Sequence, residues 1–264
     1  MSDRSGILPG SPLVLTLASI RFAPWPSVAN QINEIHEQLR DVFPLLQPLS
    51  MQQVTVSNTL ETIQLWMLMS ADRSLSVQIS QDQVLFAASA YNRYAEFSKL
   101  IQRILAALIV RMKFMHHMSL GVRYVDHIRP VRGEPLELYL HSNLLAPSYP
   151  GLTTVGGVGF ATYQLNEMEL RVRSTTQPEV PHLPEDLVPW LAMVSAPGQF
   201  KIQQLKKNEC TIDIDAVLQV EIPERVDDSS LVMEKLDALH KIANAFFRRE
   251  DVFTDHAFEV WKQG

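Results

Sequence analysis

The sequence predicts an α+β fold of two lobes, in which antiparallel sheets are each packed against a long amphipathic helix. Short alternating segments twice lead into a long helix with one apolar stripe, at residues 94–113 and 230–249. The segments before each helix are joined by links too short for a crossover, so consecutive strands must be antiparallel. The lobes are predicted at residues 11–115 and 116–264, or the two together form one continuous domain.

Three helices follow from apolar residues that recur three and four positions apart. The stripe of the first long helix includes Phe97 and Ile104, and that of the second includes Leu236 and Phe246. A third, shorter helix is predicted at residues 27–42, where a serine follows a proline and supplies a helix cap.

Strands account for most of the remaining chain, because β-branched or apolar runs alternate with short turn sequences. The Asn166-Glu167 pair is typical of a tight hairpin turn. The predicted strands are residues 13–22, 63–69, 75–79, 83–90, 118–128, 157–165, 168–174, 190–195, 200–206 and 210–222.

Composition indicates a globular protein that binds neither membranes nor, by itself, nucleic acid. The formal charge is −6, and no cluster of lysine and arginine supplies a phosphate-binding surface. The longest apolar stretch, residues 104–110, is too short to span a bilayer, and no signal peptide precedes the first strand. Cys210 lies in an apolar alternation typical of a core thiol, which favours a cytoplasmic location.

Asp213 and Asp215 lie two positions apart on one strand and therefore point to the same face. They could share a cation, or they could form the solvated side of a strand whose other side is buried. His116 and His117 point to opposite faces, and no carboxylate follows at a diagnostic spacing. The sequence predicts no metal site and no cofactor.

Arg123 is a charged residue among apolar strand neighbours. Such a group is usually paired, here with Asp126 or with an acidic residue of another strand. The functional alternative is an arginine that receives a carboxylate or phosphate of a ligand or partner. Arg21 and Tyr124 are two further candidates. The candidate binding residues are therefore Arg21, Arg123, Tyr124, Asp126, Asp213 and Asp215.

Several short motifs together resemble one protein family. They are Pro12-Leu13-Val14, Ile20-Arg21-Phe22, Tyr91-x-x-Tyr94-x-x-Phe97, the strand Gly121 to Ile128, Asp213-Ile214-Asp215, Leu236-x-x-x-His240, Ala245-Phe246 and Thr254-Asp255. The chain resembles a sporadically distributed family of uncharacterised bacterial and archaeal proteins of about this length. It departs from that family at Asp126, where relatives more often carry asparagine, and at Ala88-Ser89, where they carry Asn-Trp.

The resemblance implies no established activity or catalytic residue, but it does suggest a functional class of protein. A patchy distribution is similar to that of antitoxins, immunity proteins and defence subunits. The sequence therefore predicts a non-catalytic interaction protein with a protein partner and an undetermined oligomeric state. It would act as an antitoxin-like or immunity-like inhibitor, or as an accessory subunit of a prokaryotic defence complex.

One alternative is a module that binds a small molecule or peptide in a cavity between a curved sheet and its long helix. An enzyme would require Asp213 and Asp215 to converge with a histidine in one cleft.

Overall fold

The computed structural model describes residues 4–54, 60–91, 93–131 and 133–264. In these residues nine strands form a single antiparallel sheet. The strands are β1 (Leu13–Phe22), β2 (Leu45–Val54), β3 (Leu60–Met69), β4 (Leu75–Ile79), β5 (Gln83–Ala88), β6 (Met115–Ile128), β7 (Val158–Leu165), β8 (Met168–Thr175) and β9 (Cys210–Val226). The α-helices are α1 (Val28–Leu39), α2 (Tyr94–Met112), α3 (Val188–Val194), α4 (Ser230–Phe247) and α5 (Asp255–Gln263).

The predicted fold class, with separate sheets each packed against its own helix in two lobes, is wrong. The strand order is β2-β3-β4-β5-β1-β6-β9-β8-β7, so one sheet extends across the predicted boundary between residues 115 and 116. The strands β1 and β6 join the two parts, with Leu17 directly opposite Arg123. The division of the chain into residues 11–115 and 116–264 as domains stays a prediction.

The chain follows a similar path through the two parts of the sheet, although the first part has one strand more. In the first, β1 leads through α1 to the edge strand β2, and β2 to β5 return to the side of β1 before α2 begins. In the second, β6 leads to the opposite edge strand β7, and β8 and β9 return to the side of β6 before α4 begins. In both parts the last strand leads directly into a long helix, which explains why the sequence twice shows strands followed by a long helix.

One face of the sheet is covered by α1, α2, α4 and α5. The apolar stripes of these helices pack on inward-facing strand residues such as Ile20 and Val122, both fully buried. Burying an aliphatic side chain of this kind contributes about 1.5–3 kcal/mol. Of the two buried cores in the described residues, the larger lies on this face.

The C-terminal helix α5 closes one end of this core. Thr254 caps the helix, because its hydroxyl accepts a hydrogen bond of 3.2 Å from the backbone amide of Ala257. The rings of Phe247, Phe253 and Trp261 lie within 5.7 Å of each other, centre to centre. The Trp261 side chain is 5 % exposed, so it belongs to the core.

The opposite face carries a smaller core under α3. The strand predicted at residues 190–195 is wrong, because this segment belongs to a helix in which Trp190 and Val194 are buried with Leu15 and Leu17 of β1. The strand predicted at residues 200–206 is also wrong, since its only β-bridge in the described residues joins Gln204 to Pro181. Only the part of this face near β1 and β3 is covered by α3.

Candidate functional site

Arg123 lies at the centre of a charged network on the face that carries α3. Its Nε and Nη2 donate hydrogen bonds to the two carboxylate oxygens of Asp213, over 2.7 and 2.8 Å. Its Nη1 and Nη2 donate to Asp186, over 2.5 and 3.1 Å. Burial alone would lower the pKa of Arg123, but these bonds outweigh it and raise the pKa. The arginine is paired with acidic residues of other segments, and Asp126 is not one of its partners.

Asp213 and Asp215 share one face of β9, as the sequence predicts, but only Asp213 bonds to an arginine. Asp215 is half-buried, and among the described residues its carboxylate has no hydrogen bond or ion pair within 4.0 Å. Burial raises the pKa of Asp215 to about 6, with Asp213 adding to the effect and Arg123 opposing it. The alternative of a solvated strand side does not fit Asp213, whose side chain is only 8 % exposed, and both carboxylates line a groove.

This groove has a volume of about 320 Å³ and crosses β6, β9, β8 and β7. Charged side chains form its floor, and two apolar residues of the edge strand, Val158 and Phe160, form its outer wall. We call it the charged groove, lined by Arg123, Val158, Phe160, Arg171, Arg173, Asp213 and Asp215. It is a concave surface with charges of both signs beside an exposed aromatic ring.

A second groove, of about 370 Å³, lies beside α3. Trp190 forms part of it and donates from its indole nitrogen to the hydroxyl of Ser76 over 3.2 Å. Arg73 donates to the carbonyl oxygens of Val194 and Ser195, which end the helix. These two grooves lie on the face opposite α2 and α4, whereas the predicted cavity would lie between the sheet and a long helix.

Tyr124 points to the helix-covered face. Its hydroxyl is 2.7 Å from Nδ1 of His240 on α4, and the His240 ring stacks on Tyr94 of α2 with centroids 3.7 Å apart. Burial lowers the pKa of His240 to about 4, so the imidazole is neutral at pH 7. This contact joins the starting turn of α2 to α4 and leaves Tyr124 away from both grooves.

Asp126 is fully enclosed on the same face. The residue is only 2 % exposed, and the Oδ2 atom of its carboxyl group has no hydrogen-bond partner among the described residues. Burial, with a smaller effect of Asp213, raises the pKa of Asp126 to about 8. Asp126 is therefore protonated at neutral pH, which makes it similar in shape and charge to an asparagine.

We expect the free energy of unfolding of the Asp126→Asn variant to increase relative to that of the parent protein as pH rises. The folded-state pKa of about 8 exceeds the unfolded value of 3.8, so the contribution of Asp126 is present below pH 3.8 and lost as pH rises to 8. The difference between the two proteins should change by up to about 1.4 kcal/mol per pH unit. Urea unfolding of both proteins across this range measures it, and a constant difference would contradict a buried, protonated Asp126.

Arg21 lies apart from the other candidates. Its side chain is 61 % exposed, and its nearest acidic partner is Asp82 at 3.6 Å. It lies four residues along β1 from Leu17, which faces Arg123, a separation of roughly 13 Å at the usual rise of a strand. The six candidate residues therefore lie in three separate regions of the molecule. Of the six, Arg123, Asp213 and Asp215 lie together in one groove.

The histidines do not converge on the carboxylates of β9. Nε2 of His127 is 3.0 Å from Glu209, and Nε2 of His117 is 2.9 Å from Glu224. In the part of the chain that the structure describes, no three histidine, cysteine or acidic side chains are grouped as a metal site would require. Cys210 is buried, and burial raises the pKa of its thiol to about 12.

The edge strand β7 is a surface that the sequence reasoning missed. Its side chains are exposed along nearly the whole strand, although it pairs with β8 from end to end. Four large apolar side chains are at least half exposed: Val158 (56 %), Phe160 (67 %), Tyr163 (50 %) and Leu165 (51 %). The absence of any charged residue between 158 and 165 was the available signal. We call these eight residues the β7 surface.

Comparisons with known proteins give no functional assignment, since no protein-family model matches the chain and no curated protein is significantly similar to it. The resemblance to a sporadic bacterial and archaeal family stays a prediction. Across the described residues, none of the helices combines the length and the apolar character needed to cross a membrane.

Proposed function

We propose that this protein is a non-catalytic interaction protein that binds an extended segment of a partner protein at the free edge of β7. The observation that supports this most directly is the β7 surface. An edge strand presents unpaired backbone amides and carbonyls, and a segment that adds to it gains main-chain hydrogen bonds and side-chain contacts together.

The composition of β7 favours docking. Natural proteins usually block edge strands with lysine, other charges or proline, and β7 contains none of these. The edge strand at the other end of the sheet, β2, contains Pro48. The contrast within one sheet indicates that the β7 edge is kept open.

The exposed apolar side chains extend the docking surface to both sides of the strand. Phe160 lies on the side of the charged groove, whereas Tyr163 lies on the side of α4, 6.0 Å from the ring of Phe246. An added strand would cover apolar groups on both sides, which is the anchor pattern of β-strand addition. The connection before β7 adds further exposed apolar residues: Tyr149 (61 %), Leu152 (71 %) and Val155 (76 %).

A second copy of the chain is the other possible occupant of this edge. Each chain carries a formal charge of −6, and long-range repulsion between acidic copies opposes their association. We therefore commit to a different protein as the partner.

The finer assignment is to an antitoxin-like or immunity-like inhibitor, or to an accessory subunit of a prokaryotic defence complex, acting in the cytoplasm. Its support is the family resemblance and the lone buried cysteine, which suits a reducing compartment. The acidic charge also supports a protein partner over nucleic acid bound by this chain alone.

The test is affinity purification of the tagged protein from its native host, with two variants in parallel. We expect a stoichiometric protein partner with the parent chain, and its loss with the double variant Tyr163→Lys/Leu165→Lys. The two lysines introduce charge at the edge and do not line the charged groove. The matched control is Val110→Lys, which places a lysine at an apolar α2 residue that is 70 % exposed.

Two outcomes would contradict the proposal. One is a partner retained equally by the β7 double variant and by the Val110→Lys control, since binding would then lie elsewhere. The other is a parent chain that emerges alone as a monomer. A parent chain that emerges as a dimer dissociated by the β7 double variant would replace the protein partner with a second copy.

A further inference from the structure

The charged groove contains one carboxylate without a direct partner. Asp215 lies between Arg123 and Arg171, its register neighbours on β6 and β8. Arg123, however, bonds to Asp213 and Asp186, and Arg171 bonds to Glu169 over 2.6 Å. The guanidinium groups of both neighbouring arginines therefore bond to other carboxylates and not to Asp215.

The carboxylate of Asp215 leans over the backbone of β6. A Cβ atom placed on Gly121 would come within 3.9 Å of Asp215 Oδ1 and 2.8 Å of the Ser19 hydroxyl oxygen. The carboxylate therefore lies at ordinary van der Waals distance from this position, and Asp215 itself lines the charged groove.

The same groove contains one guanidinium group without a direct partner. Arg173 is half-buried and lies opposite Asp213 in the β8–β9 register. Asp213 is bonded to Arg123, and among the described residues Arg173 forms no ion pair within 4.0 Å.

Asp215 and Arg173 are diagonal neighbours across β9 and β8, which places their backbones about 7–8 Å apart. They do not bond to each other, so both charges face the groove without a direct partner among the described residues. A molecule that carries a cation next to an anion would satisfy both groups. Val158 and Phe160 provide an apolar wall for the rest of that molecule.

We propose that the charged groove binds a free amino acid, with its ammonium group on Asp215, its carboxylate on Arg173 and an apolar side chain against Phe160. The volume of about 320 Å³ accommodates such a ligand. Arginine suits a carboxylate because its planar fork donates two parallel hydrogen bonds. The two charged contacts of this inference lie on the floor of the groove and do not require docking at the β7 edge, although the groove wall, Val158 and Phe160, also belongs to the β7 surface.

Isothermal titration of the full chain with L-leucine and L-phenylalanine tests the proposal. We expect saturable binding of both, and affinity weaker by about tenfold or more for N-acetyl-L-leucine and for L-leucinamide, each of which lacks one charge. No binding of either amino acid at about 10 mM would overturn the proposal. Equal binding of the blocked derivatives would also overturn it.

Variants locate the site. Asp215→Asn and Arg173→Gln should each weaken L-leucine binding about tenfold or more, because each removes one charge-assisted contact. Glu221→Gln, an exposed carboxylate on the same strand, is the control and should bind normally. Unfolding curves show whether each variant is folded. Unchanged affinity in folded Asp215→Asn would overturn the assignment.

The β7 double variant separates this inference from the proposed function. Tyr163→Lys/Leu165→Lys should lose the protein partner but retain L-leucine binding, since neither residue lines the groove. Loss of L-leucine binding in this variant would contradict a site on the groove floor.

Discussion

Replacing Arg123 with methionine is expected to lower the free energy of unfolding by about 3 kcal/mol or more. The change leaves Asp213, whose side chain is only 8 % exposed, without its two hydrogen bonds from the arginine. Asp215 lies on the same face of β9, so uncompensated carboxylates would repel each other. Urea unfolding at pH 7 measures the loss.

Two further variants make this prediction specific. Asp186→Asn should cost only about 1 kcal/mol or less, because the Asp186 side chain is 60 % exposed and solvent screens the pair. The double variant Arg123→Met/Asp213→Asn should recover part of the loss, since it removes the unpaired buried charge. If Arg123→Met costs no more than Asp186→Asn, the network has no structural role.

Replacing Phe253 with alanine is expected to lower the free energy of unfolding by about 3–5 kcal/mol. The side chain is fully buried, and its ring lies 4.9 Å from Phe247 and 5.2 Å from Trp261. Its removal leaves a cavity between α4 and α5 that rigid rings cannot fill. Thermal or urea unfolding detects a loss of this size directly.

The control for Phe253 is the same substitution at an exposed ring. Phe160→Ala should change stability by about 0.5 kcal/mol or less, because that side chain is 67 % exposed. Similar effects at the two positions would contradict the assignment of α5 to the core.

The local elements were largely predictable because their signals are local. Helix α2 begins at Tyr94 and β1 covers Leu13–Phe22, as the apolar spacing indicates. Strand β2 was missed because Leu45–Val54 contains a proline and three glutamines and lacks alternation. Helix α3 was mistaken for a strand, since a short apolar run fits either structure.

The sheet itself could not be predicted from periodicity. Its continuity depends on the pairing of β1 with β6, two strands that are separated in sequence by most of the first part of the chain. Strand register and neighbours are set by long-range packing, whereas hydrophobic period reports only which side of an element is buried. The two-lobe prediction treated each series of strands and its helix as a separate sheet, although the two series share one sheet.

The candidate site was predictable in part. The rule that a strand arginine is paired led to acidic residues of another strand, and Asp213 is one of them. Asp186 lies in the connection between β8 and β9, and nothing in its local sequence indicates a contact with Arg123. Asp215 lacks a direct partner because Arg123 and Arg171 bond to other carboxylates, and a sequence does not show such partners.

Hydrogen exchange of the co-purified complex tests the central proposal most directly. In the free chain, the backbone amides of residues 158–165 that do not bond to β8 face solvent and should exchange fast. We predict that exchange in this segment slows when the partner binds, while exchange in β2 at the opposite edge is unchanged. Unchanged exchange at residues 158–165, with protection elsewhere, would contradict docking at the β7 edge.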